Sequence, residues 1–297
     1  MNIAGKAGLL CAAFLISSVA SAAANDAAPS MGGGKCAKSV YNCADTPNPL
    51  PWADIVWLED MTWMDVRDAM KRGSRTVIVP TGGVEPNGPW LTLGKHDVVL
   101  RSTCEAIARK LGNALCAPII AFVPEGDIDK KTGHMDTAGT ISVRPEIYEG
   151  IITDIARSMQ VNGFERIVFI TDNGGVQQQI QQKVAQQLNK QWQTARAYYI
   201  PEYYASWEGA DDIFLKKGLT KQGVRDGIHD DPSSTVLMML SDPATVRWEE
   251  RVKAGKATID GVSIADKQQA LAWGRELLEH RASVTAEAIV KALAAKP

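Results

Sequence analysis

Short apolar runs alternate along this chain with segments in which apolar residues recur every three or four positions. Unbroken apolar runs predict strands buried on both faces, and the longer period predicts amphipathic helices. The runs lie at 75–80, 117–123, 166–171 and 195–200. The helical patterns lie at 58–71, 97–111, 145–162, 176–192 and 265–294. This alternation predicts the α/β class, as a three-layer α/β/α domain around a mostly parallel central sheet.

Local signals mark where some of these helices begin and end. Thr62 is followed three residues later by Asp65, which approximates a capping box. Gly163 closes the third helical pattern, as glycine commonly does. Asp231 stands directly before Pro232, and this pair predicts a capped helix start.

The first residues have the profile of a secretory signal. Lys6 precedes an apolar run over 7–19, and small residues around Ala22 follow it. We therefore predict a signal peptide over residues 1–22 and a periplasmic or secreted protein. The run is shorter than the roughly 20 residues of a membrane span. Residues 23–51 are rich in Ala, Gly, Asn and Pro and predict an extended N-terminal arm, which leaves 52–297 as the folded domain.

The cysteines fit an oxidising compartment. Four of the five lie beyond the predicted signal, and an even number in an exported chain suggests disulfides. Cys36 and Cys43 are the favoured pair, because closing a short loop in a poorly ordered segment contributes about 2–3 kcal/mol. Cys104 and Cys116 either form a second disulfide or remain as two buried thiols.

Charge narrows the choice of partner. The formal net charge is −2 and the isoelectric point about 6.1, which argues against nucleic acid or an anionic membrane surface as the partner. A small-molecule substrate is the better prediction.

The first group of candidate functional residues lies in the loop after the strand predicted at 75–80. The stretch 79–97 reads VPTGGVEPNGPWLTLGKHD and brings Glu85, Asn87, His96 and Asp97 to the carboxyl end of that strand. Open α/β sheets bind their ligands at this edge. Glycines in such a loop allow close approach of backbone to a ligand.

Three later segments also combine glycine with polar or ionisable residues. They are 133–142 (GHMDTAGTIS), 170–176 (ITDNGGV) and 227–240 (GIHDDPSSTVLMML). Backbone N–H groups in glycine-rich loops can hold an anionic or carbonyl oxygen. For Gly139 and Thr140 a tight turn with a helix cap is the alternative. Three of the four histidines fall in the four segments, which points to a polar site.

These four segments, in this order, resemble the motifs of the creatininase family over residues 79–240. The resemblance implies a creatininase-like fold and a metal-dependent amidohydrolase that acts on a C–N bond of a small cyclic amide or related polar substrate. It also implies a homo-oligomer.

The resemblance assigns roles to residues that match the family. Glu85 and Asp97 correspond to metal-binding carboxylates, and His134 and His229 to histidines of the family. His229 is the one placed to move a proton or polarise the substrate.

Two metal-binding histidines of the family are replaced here by Asn87 and Asn173. We therefore predict an altered site with one divalent cation rather than two. Asparagine oxygen suits hard cations such as Mg²⁺ or Ca²⁺, so the identity of the metal stays open. His96 either supplies a replacement nitrogen or is a helix-start histidine bonded to backbone. Asp172 offers a carboxylate one residue before Asn173.

The sequence thus yields three sets of candidate residues. The catalytic candidates are His229, His134 and Asp230. The substrate-binding candidates are Asn87, Gly139, Thr140, Asn173 and Gly174. The metal-binding candidates are Glu85, Asp97 and His96. Two other hypotheses remain beside the metallohydrolase: a metal-free binding protein or pseudoenzyme on the same fold, and metal-free acid/base catalysis by His229 with Asp230 or Glu85.

Overall fold

The computed structural model describes residues 45–220 and 229–295 of the 297-residue chain. The predicted signal peptide, most of the predicted arm and the pair Cys36–Cys43 lie outside the described residues, so these assignments stay predictions. Residues 52–297 belong to one compact unit, which holds all the elements below. None of the helices described is long and apolar enough to cross a membrane.

Four parallel strands form the central sheet in the order β2-β1-β3-β4. They are β1 (Thr76–Thr81), β2 (Ala114–Cys116), β3 (Arg166–Thr171) and β4 (Arg196–Tyr199). In this register Thr76 lies opposite both Ala114 and Arg166. All of β1 and nearly all of β3 are buried, as expected for a parallel sheet covered on both faces.

Eight α-helices accompany the sheet within the described residues. They are α1 (Trp63–Lys71), α2 (Lys95–Leu111), α3 (Pro145–Val161), α4 (Val176–Gln191), α5 (Glu202–Lys216), α6 (Pro232–Ser241), α7 (Trp248–Lys253) and α8 (Lys267–Ala294). Short 3₁₀ turns lie at Leu58–Asp60, Gly133–Asp136 and Pro243–Thr245. A two-stranded hairpin pairs β5 (Thr258–Ile259) with β6 (Val262–Ser263).

The two faces of the sheet carry different helices. On one face, Val77 and Phe169 pack in a cluster with residues of α1, α3 and α4. On the other, Ile78 and Val168 pack with residues of α2, α5 and α8. A third cluster joins α6 and the hairpin to α5 and α8, with Phe214 among its fully buried members. The predicted three-layer α/β/α architecture is confirmed.

Two predicted elements differ from the structure. The helix predicted over 58–71 begins only at Trp63, because the side chain of Thr62 caps it by accepting from the N–H of Asp65. The strand predicted over 117–123 is wrong, since the strand is 114–116 and irregular chain follows. Pro118 lacks the N–H that a ladder needs, yet the N–H groups of Ala117 and Ile120 still donate to carbonyls of β1.

A disulfide settles the alternative left open for one cysteine pair. Cys104 in α2 is bonded to Cys116 in β2, and both are fully buried. The bond ties a helix to the edge strand beside it across a sequence separation of 12 residues. Closing a loop of this size contributes on the order of 3 kcal/mol.

The cap at Thr62 gives a first testable prediction. The hydroxyl of Thr62 accepts from the N–H of Asp65 at 3.2 Å, and the Asp65 carboxylate accepts from the N–H of Thr62 at 2.9 Å. We expect Thr62→Ala to lower the free energy of unfolding by about 1 kcal/mol, because it leaves a helix N–H without its partner. Urea denaturation measures the loss, and Thr62→Ser should restore most of it. An equal loss in both variants would contradict the capping role.

Candidate active site

A cavity of about 580 Å³ opens where the loops after β1 and β3 meet. The ends of these neighbouring parallel strands bring residues far apart in sequence to one edge. Its lining includes six charged or ionisable side chains that carry the chemistry described below: Glu85, Lys95, His96, His134, Asp172 and His229.

Glu85 lies at the centre of this group and is only 1% exposed. Its N–H donates to the carbonyl of Leu93 at 3.2 Å. The side-chain amide of Asn87 donates to the carbonyls of Glu85 and Thr92 at 2.9 and 3.1 Å. These bonds fold the loop after β1 and hold the Glu85 carboxylate toward the cavity.

Two histidines approach the two oxygens of Glu85 from different loops. His134, on the 3₁₀ turn Gly133–Asp136, places Nδ1 2.7 Å from Glu85 Oε2. His229, just before α6, places Nδ1 2.9 Å from Glu85 Oε1 and 3.1 Å from the carbonyl oxygen of Pro86. His229 has a left-handed backbone with φ of 50°, which turns the chain sharply before the helix. The donor atoms of the three residues all lie within 4.8 Å of one another.

This donor set fits a divalent metal ion. Nδ1 of His134 is buried and makes no hydrogen bond among the described residues, although Glu85 Oε2 lies 2.7 Å from it. Two imidazole nitrogens and one carboxylate are ligands typical of catalytic zinc sites, which keep a further position for water or substrate. Both histidine side chains remain 35% exposed on the cavity side of the buried glutamate.

His96 lies behind Glu85 and joins it to Asp172. Its Nε2 is 2.6 Å from Glu85 Oε1, and its Nδ1 is 2.8 Å from Asp172 Oδ2. Burial and the nearby charge of Lys95 lower the pKa of His96, but hydrogen bonds to the two carboxylates outweigh them and raise it. Each ring nitrogen of His96 therefore faces a carboxylate oxygen.

Glu85 is ionised for related reasons. Burial raises the pKa of its carboxyl, yet hydrogen bonds from His229 and His96 lower it far below its ordinary value. The ammonium of Lys95, 3.2 Å from Oε1, adds to this. A carboxylate that stays charged at all physiological pH values is a suitable metal ligand, because ligands must be deprotonated to bind.

Asp172 connects this group to the long C-terminal helix α8. Its Oδ1 accepts from Arg281 Nη2 at 2.7 Å and from the indole N–H of Trp207 at 3.1 Å. Burial raises the pKa of Asp172, but the charge of Arg281 and the hydrogen bond from His96 lower it overall. Asp172 and Arg281 are both 0% exposed.

Two other acids beside the site, the buried Glu125 and the partly buried Asp97, have raised pKa values. Burial and the negative charge of Glu85 raise the pKa of Glu125 to about 7, although its Oε1 accepts from the amide of Asn173 at 2.6 Å. Burial raises the pKa of Asp97 to about 6, against the hydrogen bond that its Oδ1 accepts from the N–H of Gly83 at 3.3 Å. Both carboxyl groups therefore take up a proton more readily than an ordinary exposed acid does.

The raised pKa of Glu125 makes stability depend on pH. Since the pKa rises from 4.5 to about 7 on folding, the favourable contribution of protonated Glu125 is complete below about pH 4.5 and is lost as pH rises toward 7. We expect Glu125→Gln, which never ionises, to gain stability relative to the unchanged protein between pH 5 and 8, by up to about 3 kcal/mol. Urea denaturation with EDTA at several pH values measures the difference.

The exposed carboxylate Glu146 supplies the control for this series. Glu146→Gln changes an exposed carboxylate in the same way and should bring no comparable gain in stability between pH 5 and 8. If the free energy of unfolding of Glu125→Gln differs from that of the unchanged protein by the same amount at every pH, the raised pKa of Glu125 is contradicted.

The structure separates the predicted site residues into two groups. Those that line the cavity are Glu85, His96, His134, His229, Asn173 and Gly174. A side chain at Gly174 would collide with the hydroxyl of Tyr204, so glycine keeps the backbone close to the cavity there.

The other predicted site residues support the surrounding loops. Asp230 forms a two-pronged ion pair with Arg251 at 2.6 and 3.0 Å. Thr140 donates its hydroxyl to the carbonyl of His134 at 2.8 Å, and Gly139 takes a positive φ of 89° beside it. The carboxylate of Asp97 and the amide of Asn87 bond to backbone, as described above. Their predicted roles toward metal or substrate stay predictions.

Some residues of the site were not among the predicted ones. Glu125 follows an apolar run, so its position after a predicted strand was a usable signal. Lys95 stands beside His96 in the first turn of α2. Arg281 and Trp207 lie within helices, and no local pattern distinguishes them from ordinary helix residues.

Known proteins resemble this chain in sequence and in fold. The family model described as creatininase, creatinine amidohydrolase, matches residues 59–289. A crystal structure of creatinine amidohydrolase superposes with a TM-score of 0.61 at 19% identity, covering 82% of this chain and 100% of that one. No curated protein matches the chain by sequence.

Two structures of one creatininase mutant superpose about as well. One is of a Zn-Zn type and the other is complexed with creatine. Each has a TM-score of 0.60 at 19% identity and covers 82% of this chain and 100% of its own. At these identities the likeness shows the fold, while the family match extends over most of the chain. The chain therefore belongs to the creatininase family.

Proposed function

We propose that this protein is an exported, metal-dependent amidohydrolase that cleaves a C–N bond of a small cyclic amide or related polar substrate. The observation that carries the proposal is the convergence of His134 and His229 on the buried carboxylate of Glu85 at a cavity. The family supports hydrolysis of this bond type, and the signal-like start of the sequence supports export. We also expect a homo-oligomer, on the basis of the family resemblance.

One divalent cation is proposed, held by Glu85, His134 and His229. This set differs from the one predicted from the sequence, because His96 and Asp97 make other hydrogen bonds here. When bound, a divalent cation lowers the pKa of water and polarises a carbonyl group. With two nitrogen ligands the set favours a transition metal over Mg²⁺ or Ca²⁺.

The remaining residues bind, orient and move protons. Backbone at Gly174 and Gly175 lines the cavity and gives a polar substrate close access to peptide groups. The pKa of Glu125 is raised to about 7 and its Oε2 is 3.8 Å from His134 Nδ1, so it is placed to exchange a proton beside the donor set. Lys95 and His96 keep Glu85 ionised from the protein side.

Metal content and turnover together test the proposal. The mature protein, purified without chelator, is expected to hold about one equivalent of metal by elemental analysis. It should hydrolyse one or more members of a panel of small cyclic amides, lose that activity in EDTA and regain it with Zn²⁺ or Mn²⁺. His134→Ala and His229→Ala should each lose the metal. His280→Ala is the matched control, since this fourth histidine has similar exposure and lies on α8 outside the donor set.

Other results of these measurements would favour metal-free catalysis or a binding protein. No bound metal and no thermal shift on adding Zn²⁺ or Mn²⁺ would contradict the metallohydrolase. Turnover that EDTA leaves unchanged would instead favour acid/base catalysis by Glu85 with His229, whose contact is 2.9 Å. Absence of turnover with retained ligand binding would favour a binding protein or pseudoenzyme.

A further inference from the structure

Arg281 is a buried cation that packing alone explains poorly. It lies within α8, is 0% exposed, and its Nη1 has no hydrogen-bond partner among the residues described. The guanidinium carbon lies 3.8 Å from the centre of the Trp207 ring. Burying a charge is costly, and replacing a buried ion pair with apolar side chains of similar volume is often neutral or stabilising. The arginine therefore calls for a role beyond filling space.

An unbroken series of short contacts leads from Arg281 to the proposed metal site. Arg281 Nη2 is 2.7 Å from Asp172 Oδ1, and Asp172 Oδ2 is 2.8 Å from His96 Nδ1. His96 Nε2 is then 2.6 Å from Glu85 Oε1. Arg281 is itself fixed by a bond from Nε to the hydroxyl of Ser206 at 3.0 Å. The series starts on α8 and crosses the end of β3 and the first turn of α2.

The last contact is the shortest of those described at Glu85 Oε1, which Lys95 and His229 also approach at 3.2 and 2.9 Å. His96 holds Oε1, and this leaves Oε2 directed toward His134 Nδ1 at 2.7 Å. A glutamate side chain has three rotatable bonds, so a shift of the His96 ring would allow its carboxylate to turn. Partners behind the ligands of a metal site commonly fix ligand orientation in this way.

We propose that Arg281 is a positioning residue for Glu85, acting through Asp172 and His96, so that helix α8 sets the affinity of the metal site. The proposal rests on the proposed metal-binding function. It requires that loss of Arg281 weakens metal binding more than the accompanying loss of stability accounts for.

The first test measures Zn²⁺ affinity by competition with a chromophoric chelator, at a temperature where every variant is folded. Arg281→Met and Asp172→Asn are each expected to raise the Kd by roughly 10–100-fold. Arg281→Lys keeps the charge and should recover part of the loss. Thr285→Val is the matched control, because Thr285 is also 0% exposed, one turn further along α8, and bonds only to the carbonyl of Arg281 among the described contacts.

A double variant tests the order of the contacts. If Arg281 acts through Asp172, Arg281→Met should change the Kd little in a protein that already carries Asp172→Asn. The double variant also removes both buried charges together, so it should fold even if Arg281→Met alone does not. If the fold-changes in Kd of the two single variants multiply in the double variant, the two residues act independently and the proposed route is overturned.

Crystal structures of metal-free protein test the positioning role of Arg281 without relying on the proposed metal-binding function. Crystal structures of the metal-free protein and of the metal-free Arg281→Met variant should show the His96 ring and the Glu85 carboxylate displaced in the variant. An unmoved carboxylate, with a Kd for Zn²⁺ unchanged within twofold and only a lower melting temperature, would overturn the positioning role. If the unchanged protein binds no metal, the proposed function fails and the crystal structures alone decide whether Arg281 positions Glu85.

Discussion

Replacing Glu85 with glutamine is expected to remove metal binding. Glutamine preserves volume but lacks the charge that faces His134, His229 and Lys95. Loss of a supporting partner alone costs roughly 10–100-fold in metal affinity, so loss of the ligand itself should exceed about 100-fold. Metal-dependent hydrolysis should disappear with it. Isothermal titration with Zn²⁺ and elemental analysis of the purified variant measure the change.

Glu59→Gln is a suitable control for this experiment, because Glu59 is an exposed carboxylate that pairs with Arg101 at 3.0 Å on the surface. It should keep its metal and its activity. If Glu85→Gln binds Zn²⁺ as tightly as the unchanged protein, Glu85 is not a ligand and the donor set described here is wrong.

Replacing Asp172 with asparagine is expected to cause the largest loss of stability. The change leaves the charge of Arg281 buried without a counterion, and breaking a buried pair in this way typically costs about 3–5 kcal/mol. The indole of Trp207 keeps an oxygen to donate to, so the loss comes mainly from the charge. Urea denaturation at neutral pH, in the presence of EDTA, measures it without a contribution from metal.

This loss should depend on pH with a definite sign. Because folding lowers the pKa of Asp172 below 3.8, its ionised form stabilises the fold at every pH above about 4, and that stabilisation is lost as pH falls below it. The gap between the unchanged protein and Asp172→Asn should therefore be widest near neutral pH and shrink in acid. A gap that grows on acidification would contradict the ion pair.

The regular elements were largely predictable from local pattern. The apolar runs at 75–80 and 166–171 became β1 and β3 almost unchanged, since a strand buried on both faces must be apolar along its whole length. The strand predicted at 117–123 did not form, because Pro118 cannot donate to a ladder, although the N–H groups of Ala117 and Ile120 still donate to carbonyls of β1. Helix α5 was not predicted at all.

The candidate site was predictable in part. Glu85, His134 and His229 stood in loops that the resemblance singled out, and they do meet at one cavity. The sequence could not show which of the nearby acids would be neutralised. Asp230 is held by Arg251, and Asp97 turns to a backbone N–H.

What the sequence by itself determined is the alternation of the main strands and helices, without α5, α7 and the hairpin, and the identity of the loops at the carboxyl ends of the strands. Hydrophobic period and capping residues act over a few positions, so they can be recognised in the chain. Only the tertiary structure decided which charged side chains pair with one another around the site. Asp172 and Arg281 are 109 residues apart in sequence, yet their contact of 2.7 Å sets the charge behind His96 and Glu85. Coulomb interaction depends on distance and burial in space, and neither is written in the local pattern.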